Sequence, residues 1–237
     1  MEFRGPLVRG IFLRRLNMFT VLVEIDGVPR TCHLPNPGRL EELLVPGAKV
    51  FLLERGEGKR RTGYDLAAVS HRGGLVSVDS RLPNRLVGEA LADGRLPPFR
   101  RCQVVRGEVP YGRSRFDFLL QCGGKPCLLE VKSCTLVRDG MALFPDAVTE
   151  RGKRHCLELA RARREGYRAA VLFVVQRTDA SIFSPNDATD PAFGEALRWA
   201  AGRGVEILAY RCLVTESEVR LGGRVAVDLE RKSLYII

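Results

Sequence analysis

A chain of 237 residues that is 45% hydrophobic and 28% charged can build one large core or two small ones, and 24 Gly and 13 Pro scattered without period exclude a collagen-like or low-complexity chain. Lys and Arg number 38 against 28 Asp and Glu, and Arg supplies 32 of the basic residues, so both a phosphate-bearing partner and a plain Arg-rich solvated surface fit the net charge of +10. The longest wholly apolar run, Ala169 to Val175, is far below the roughly 18 residues of a membrane helix. The N-terminal MEFRGPLVRGIFLRRL is broken by Arg too often for a signal-peptide core, and a cytoplasmic protein is expected.

Up to about residue 80 the chain reads as short strands with turn punctuation. Leu7–Leu16 and Phe19–Ile25 are apolar and extended, Asp26-Gly27 is a two-residue hairpin signal, and Val28–Leu34 returns. HLPNPGRL, 33–40, excludes regular structure through Pro35 and Pro37 until a short helix near Gly38 or Arg39. Val50–Glu54, Tyr64–Ser70 and Leu75–Val78 complete a set that suggests a small barrel, with an OB-fold as the leading candidate.

After Pro83 the period changes. Asn84 is placed to cap a helix running to about Ala92, followed by strands near 103–109, 114–121, 127–135 and 141–144. A helix over about 149–165 ends at Gly166, Arg168–Gln176 is a buried strand, Asp190-Pro191 starts a helix to about Ala201, and Val205–Tyr210 is a further strand. This order predicts an α/β domain with a mixed sheet, so the chain divides into 1–82 and 83–237. The seven Cys are odd in number and lack a CxxC pair, which suggests neither a zinc site nor a disulfide framework, only small buried hydrophobes.

The chemistry concentrates in SRFDFLLQCGGKPCLLEVKSCTL, 114–136. If Gly123-Gly124 is a two-residue hairpin turn, opposed residues have numbers summing to 247. Phe116, Phe118 and Leu120 then meet Val131, Leu129 and Cys127 on one apolar face, and Asp117 meets Glu130 on the other. Two opposed carboxylates repel unless a cation sits between them. Either Arg115 and Lys132 neutralise them, or a hard divalent ion such as Mg²⁺ or Mn²⁺ does, with Lys132 orienting water or holding charge on a phosphate. Glu89, three residues after Leu86 at the edge of the helix's apolar stripe, is a third carboxylate for that shell.

The order Glu89, Asp117, Glu130-Val131-Lys132 resembles the PD-(D/E)xK nuclease superfamily. HLPNPGRL, YDLAAV (64–69), SRFDFLL (114–120), LEVKS (129–133), ALFPDAVTERGKRH (142–155) and FVVQR (173–177) resemble the sugar fermentation stimulation protein A family along nearly the whole chain. The resemblance implies an N-terminal OB-fold, a PD-(D/E)xK nuclease-like domain and association with DNA. The chain departs from the superfamily pattern in having no Pro shortly before Asp117, and that Pro carries no catalytic atom.

Three further segments bear on nucleic acid. In Thr149–Glu165, Cys156, Leu159 and Ala160 form an apolar stripe that leaves Lys153, Arg154 and His155 near the opposite side, at a helix start suited to a phosphate backbone; Arg161, Arg163 and Arg164 fit a solvated face equally well. Asn36, Gly38 and Arg39 form either a backbone-contact loop or a rigid Pro turn on the barrel rim. Phe12, Phe19 and Tyr64 are placed either to stack on single strands or to fill the core, and Gln176 either approaches the carboxylates or satisfies backbone groups. The expected activity is therefore metal-dependent phosphodiester hydrolysis on DNA, single-stranded or duplex, or on RNA, with a non-catalytic DNA-binding or regulatory module as the rival; a sugar-phosphate role rests on the family's name alone.

Overall fold

The computed structural model describes residues 1–3, 5–55 and 62–231. Strands β1 (Leu7–Asn17), β2 (Thr20–Ile25) and β3 (Val28–His33) form an antiparallel meander. Its second turn is Asp26-Gly27, both at positive φ as a tight two-residue hairpin needs. Strands β4 (Lys49–Glu54), β5 (Tyr64–His71) and β6 (Gly74–Ser77) follow; β4 pairs with β1 and β5, and a parallel bridge from His33 on β3 to Asp65 on β5 closes the barrel. This closed β1-β2-β3-β5-β4 circuit is an OB-fold, with β6 added at its edge. Phe12, Val21, Val23, Leu52 and Leu66 fill it because alternate residues of each strand point inward.

The segment after Pro37 is not helical. Leu40 takes φ 54° and accepts from Leu43 and Leu44, giving one isolated turn. The sequence cannot lengthen it, because Pro46 and Gly47 follow within one further turn. Tyr64 packs against the barrel core and Phe12 lies inside it, which leaves Phe19 as the exposed ring of the three candidates, tilted against His33 at 6.4 Å.

Helix α1 (Leu82–Ala92) opens the second domain. It starts three residues earlier than expected: Arg81, not Asn84, is the cap, without a side-chain bond, and Pro83 sits in the first turn, where its missing N–H costs nothing. Strands β7 (Cys102–Tyr111), β8 (Ser114–Cys122), β9 (Lys125–Cys134), β10 (Val137–Arg138) and β11 (Met141–Phe144) come next. Helix α2 (Glu150–Arg164), β12 (Arg168–Val175), β13 (Ile182–Pro185), α3 (Pro191–Ala201), β14 (Glu206–Val214) and β15 (Val219–Val227) complete the domain. One nine-stranded mixed sheet runs β10-β11-β13-β15-β14-β12-β9-β8-β7, with β12 parallel to both β9 and β14. Helix α1 covers one face through Leu86, Val87 and Ala90; α2 and α3 cover the other through Leu159, Phe193 and Leu197. The fold is thus an OB barrel followed by a mixed-sheet α/β domain.

One cysteine expectation fails. Cys102 and Cys122 pair directly across β7 and β8 with Cα atoms 4.1 Å apart and form a disulfide. Twenty residues separate them in sequence, so only the strand register reveals the pair. The five other cysteines are free and buried, as expected. Closing a loop of that length restricts the unfolded chain, so Cys122→Ser is expected to cost about 3 kcal/mol in urea denaturation. Thiol titration of the unreduced, denatured protein should count five thiols; a count of seven would remove the bond.

Candidate functional site

The β8–β9 turn is Gly123-Gly124, both at positive φ, and the ladder pairs Cys122 with Lys125, Leu120 with Cys127 and Phe118 with Leu129, all summing to 247. The register holds up to that point and then the strands separate. Asp117 does not stand as a simple cross-strand partner of Glu130: its Oδ2 accepts from the Val131 backbone N–H at 2.7 Å, where a ladder carbonyl would otherwise bond. The separation also turns Phe116 over. Phe118, Leu120, Leu129 and Val131 pack towards α1, whereas Phe116 joins the α2 face, its ring centroid 5.5 Å from that of His155.

That opening of the sheet holds the site. Glu130 is 3% exposed, and its Oε1 accepts from Lys132 Nζ and His155 Nδ1, each at 2.6 Å. Arg151 Nε donates to His155 Nε2 at 3.3 Å, which fixes the tautomer that leaves Nδ1–H for Glu130. The second oxygen, Glu130 Oε2, is buried and has no hydrogen-bond partner. Asp117 Oδ1 accepts from the Asn84 side-chain amide on α1.

The two carboxylates behave oppositely. Burial, with repulsion from Glu130, pushes Asp117 up to about 7, against the Val131 N–H, Lys132 and Asn84, which favour its charged form. Burial also disfavours the ionised Glu130, but the Lys132 charge and the His155 hydrogen bond outweigh it and hold that carboxyl below its ordinary value. Near neutrality Glu130 therefore carries its full negative charge, while Asp117 is half-protonated.

Asp117, Glu130 and Lys132 are thus brought together, and Glu89 is not with them. Its side chain is 45% exposed and lies 3.9 Å from the N-terminal amino group. The helix contributes Asn84 instead, five residues earlier and on the face that meets β8. Among the described residues no group of three or more His, Cys, Asp or Glu surrounds one metal position. Two carboxylates are enough for Mg²⁺ or Mn²⁺, which fill their shells with water and phosphate oxygens, and the unpartnered Glu130 Oε2 fits a hard cation.

His155, expected with Lys153 and Arg154 opposite the apolar stripe, instead lies within it, 1% exposed. It belongs to the buried stripe of α2 with Gly152, Cys156 and Leu159, and its spacing of three from Gly152 and four to Leu159 carries that signal. Lys153 and Arg154 lie half-buried on the first turns, whose N-terminus Thr149 caps by accepting from Gly152 N at 3.0 Å. Asn36 is 5% exposed and fully used: its amide donates to Val78 O and its oxygen accepts from Gly38 N. It shapes the loop rather than facing solvent. Arg39 stays exposed, with its backbone N–H on Asp146 of the second domain. Gln176 spans from Asp79 O to Ser133 Oγ and ties the domains together away from the carboxylates.

Family models described as the SfsA N-terminal OB domain and the sugar fermentation stimulation protein RE domain match residues 13–78 and 81–218. The chain belongs to the sugar fermentation stimulation protein family. A family homologue from Moorella thermoacetica is 48% identical over 231 residues, covering 97% of this chain and all of the relative. One from Caldanaerobacter subterraneus is 45% identical over 229 residues with the same coverages. The solved structure of Pyrococcus furiosus SfsA in complex with Ca²⁺ superposes with a TM-score of 0.89 at 32% identity, over 96% of this chain and 98% of that one. The OB barrel and the α/β domain are therefore both features of the family.

Proposed function

We propose that the protein is a divalent-metal-dependent phosphodiesterase acting on DNA, with Asp117 and Glu130 holding Mg²⁺ or Mn²⁺. The observation that carries this reading is the buried, unpartnered Glu130 Oε2, whose sister oxygen is fixed by Lys132 and His155 beside a second carboxylate. The Ca²⁺ in the Pyrococcus furiosus relative supports a hard cation. A bound cation would supply Lewis-acid polarisation of a phosphoryl oxygen and a more acidic water.

The chain's own groups do the rest. Lys132 Nζ keeps Glu130 ionised and has two further donors for charge that develops on phosphate. His155 holds Glu130 from the α2 side, which fixes the free oxygen in one direction. The barrel, with exposed Arg39 and Phe19, offers a charged and a stacking contact for a strand extending away from the carboxylates.

The test is calorimetric titration with Mn²⁺ followed by a cleavage screen over single- and double-stranded DNA and RNA, with Glu130→Ala as control. Binding and cleavage that both vanish in Glu130→Ala are expected. Salt-sensitive DNA binding with no cleavage of any substrate would leave a non-catalytic module and overturn the enzymatic reading.

A further inference from the structure

A second feature lies beside the carboxylates. The β7–β8 turn and the first turns of α2 border an open cavity of about 670 Å³, lined by Arg113, Arg115, Arg151 and Arg154, with Ser114 and His155 in its wall. Glu108 at its rim pairs with Arg115 at 3.5 Å, both largely exposed. The remaining basic groups exceed the acid they face.

Three observations show that this cavity is built for an anion. Ser114 is only 8% exposed, and its Oγ is buried without a hydrogen-bond partner. Arg154 Nε is likewise buried and unpartnered. Unsatisfied buried donors are costly, and a phosphate oxygen satisfies both kinds. Finally, the cavity lies at the N-terminal end of a 15-residue helix whose first turn carries Arg151 against the single acid Glu150, so an anion there meets the helix's positive end without a net negative charge opposing it. The turn is held in place by Glu158 of α2, whose carboxylate accepts from the Arg113 backbone N–H at 2.8 Å.

We propose that this cavity binds a backbone phosphate of a nucleic-acid strand, adjacent in the strand to the phosphate presented to Asp117 and Glu130. Ser114 precedes Asp117 by three residues on β8, about 10 Å at strand rise, so one phosphate cannot serve both places. His155 is the shared wall: its ring lines the cavity and its Nδ1 holds Glu130. The inference deepens the phosphodiesterase reading and rests on it for the second phosphate alone; the anion site itself stands on Ser114 and the arginines.

The test measures binding without cleavage, by fluorescence anisotropy of a labelled short single strand and a short duplex in EDTA. Arg113→Gln/Arg154→Gln is expected to weaken binding at least about tenfold, as loss of charge-assisted phosphate bonds does, and to flatten the log–log salt dependence by about one. Ser114→Ala and the exposed-turn variant Arg113→Gln alone should each weaken it by a smaller factor, which keeps the result readable if the double variant folds poorly. Arg95→Gln, removing a charge that pairs with Asp93 in a surface turn, should bind as wild type does. Equal affinities for the double variant and Arg95→Gln would overturn the proposal. So would displacement of the strand by submillimolar inorganic phosphate or a hexose phosphate, since that marks a site for a free small anion. If the arginine-dependent binding is seen but wild type with Mn²⁺ cleaves nothing, the phosphodiesterase reading falls and the phosphate site remains.

Discussion

Asp117→Asn is expected to stabilise the metal-free protein near pH 8 while abolishing Mn²⁺ binding. Burial and Glu130 raise the Asp117 carboxyl from 3.8 to about 7 in the folded state. Between those values the folded protein binds a proton that the unfolded chain has released, so stability falls as pH rises through that window. At about 1.4 kcal/mol per pH unit the loss is on the order of 4 kcal/mol by pH 8. The amide introduced by the substitution would keep an acceptor for Val131 N–H, and Asn84 can flip its own amide to accept from the new NH₂, so the packing survives. Urea denaturation in EDTA from pH 5 to pH 8 should show wild type losing stability and Asp117→Asn nearly level. Added Mn²⁺ should restore wild type at pH 8 and leave the variant unmoved. A wild-type profile flat over that range would contradict the placement of Asp117.

Stability traded for a poised carboxylate is a mark of a site rather than of a surface network. It also shows why the sequence was legible in one part of this hairpin and opaque in another. Gly123-Gly124 and the alternating apolar residues around it dictate a register, and the register is found from Cys122–Lys125 to Phe118–Leu129. Pleat geometry extrapolated further would oppose Asp117 and Glu130 directly. The strands part there because a side-chain carboxylate bonds Val131 N–H instead of a backbone carbonyl, and no periodicity announces that exchange. The helix acid failed for a related reason. Both Asn84 and Glu89 flank the stripe of α1, and choosing between them needs the tilt of the helix over β8. Asn36 reads as a polar loop residue from composition, while its 5% exposure reflects a turn that folds back on its own side chain. The barrel was readable because hairpin turns and short strands specify it locally; β13 was not, since both its partners, β11 and β15, lie far along the chain.

Lys132→Met is expected to lower turnover by about 10²- to 10³-fold, as removal of one positioned donor to developing charge does. It should also destabilise the protein at pH 8. Wild-type Glu130 is held below its ordinary value, so it contributes stability that is present above the unfolded pKa and lost as pH falls through the folded one. Without Lys132, burial becomes the stronger influence and the sign reverses: the ionised carboxylate, left with His155 alone, costs about 3–5 kcal/mol, the usual penalty for breaking a buried pair. Stability should then recover on lowering the pH, opposite to the wild-type Glu130 contribution. The double variant Glu130→Gln/Lys132→Met separates structure from chemistry. With no buried charge left unpaired, it should regain most of the lost stability at pH 8, because a neutral amide can still accept from His155 Nδ1. Turnover and Mn²⁺ binding should both be lost in the double variant, because the free oxygen of Glu130 is then no longer an anion. If the double variant were as unstable as Lys132→Met, the Glu130–Lys132 pair would not be the source of the destabilisation, and its role as a charge-compensated metal ligand would have to be abandoned.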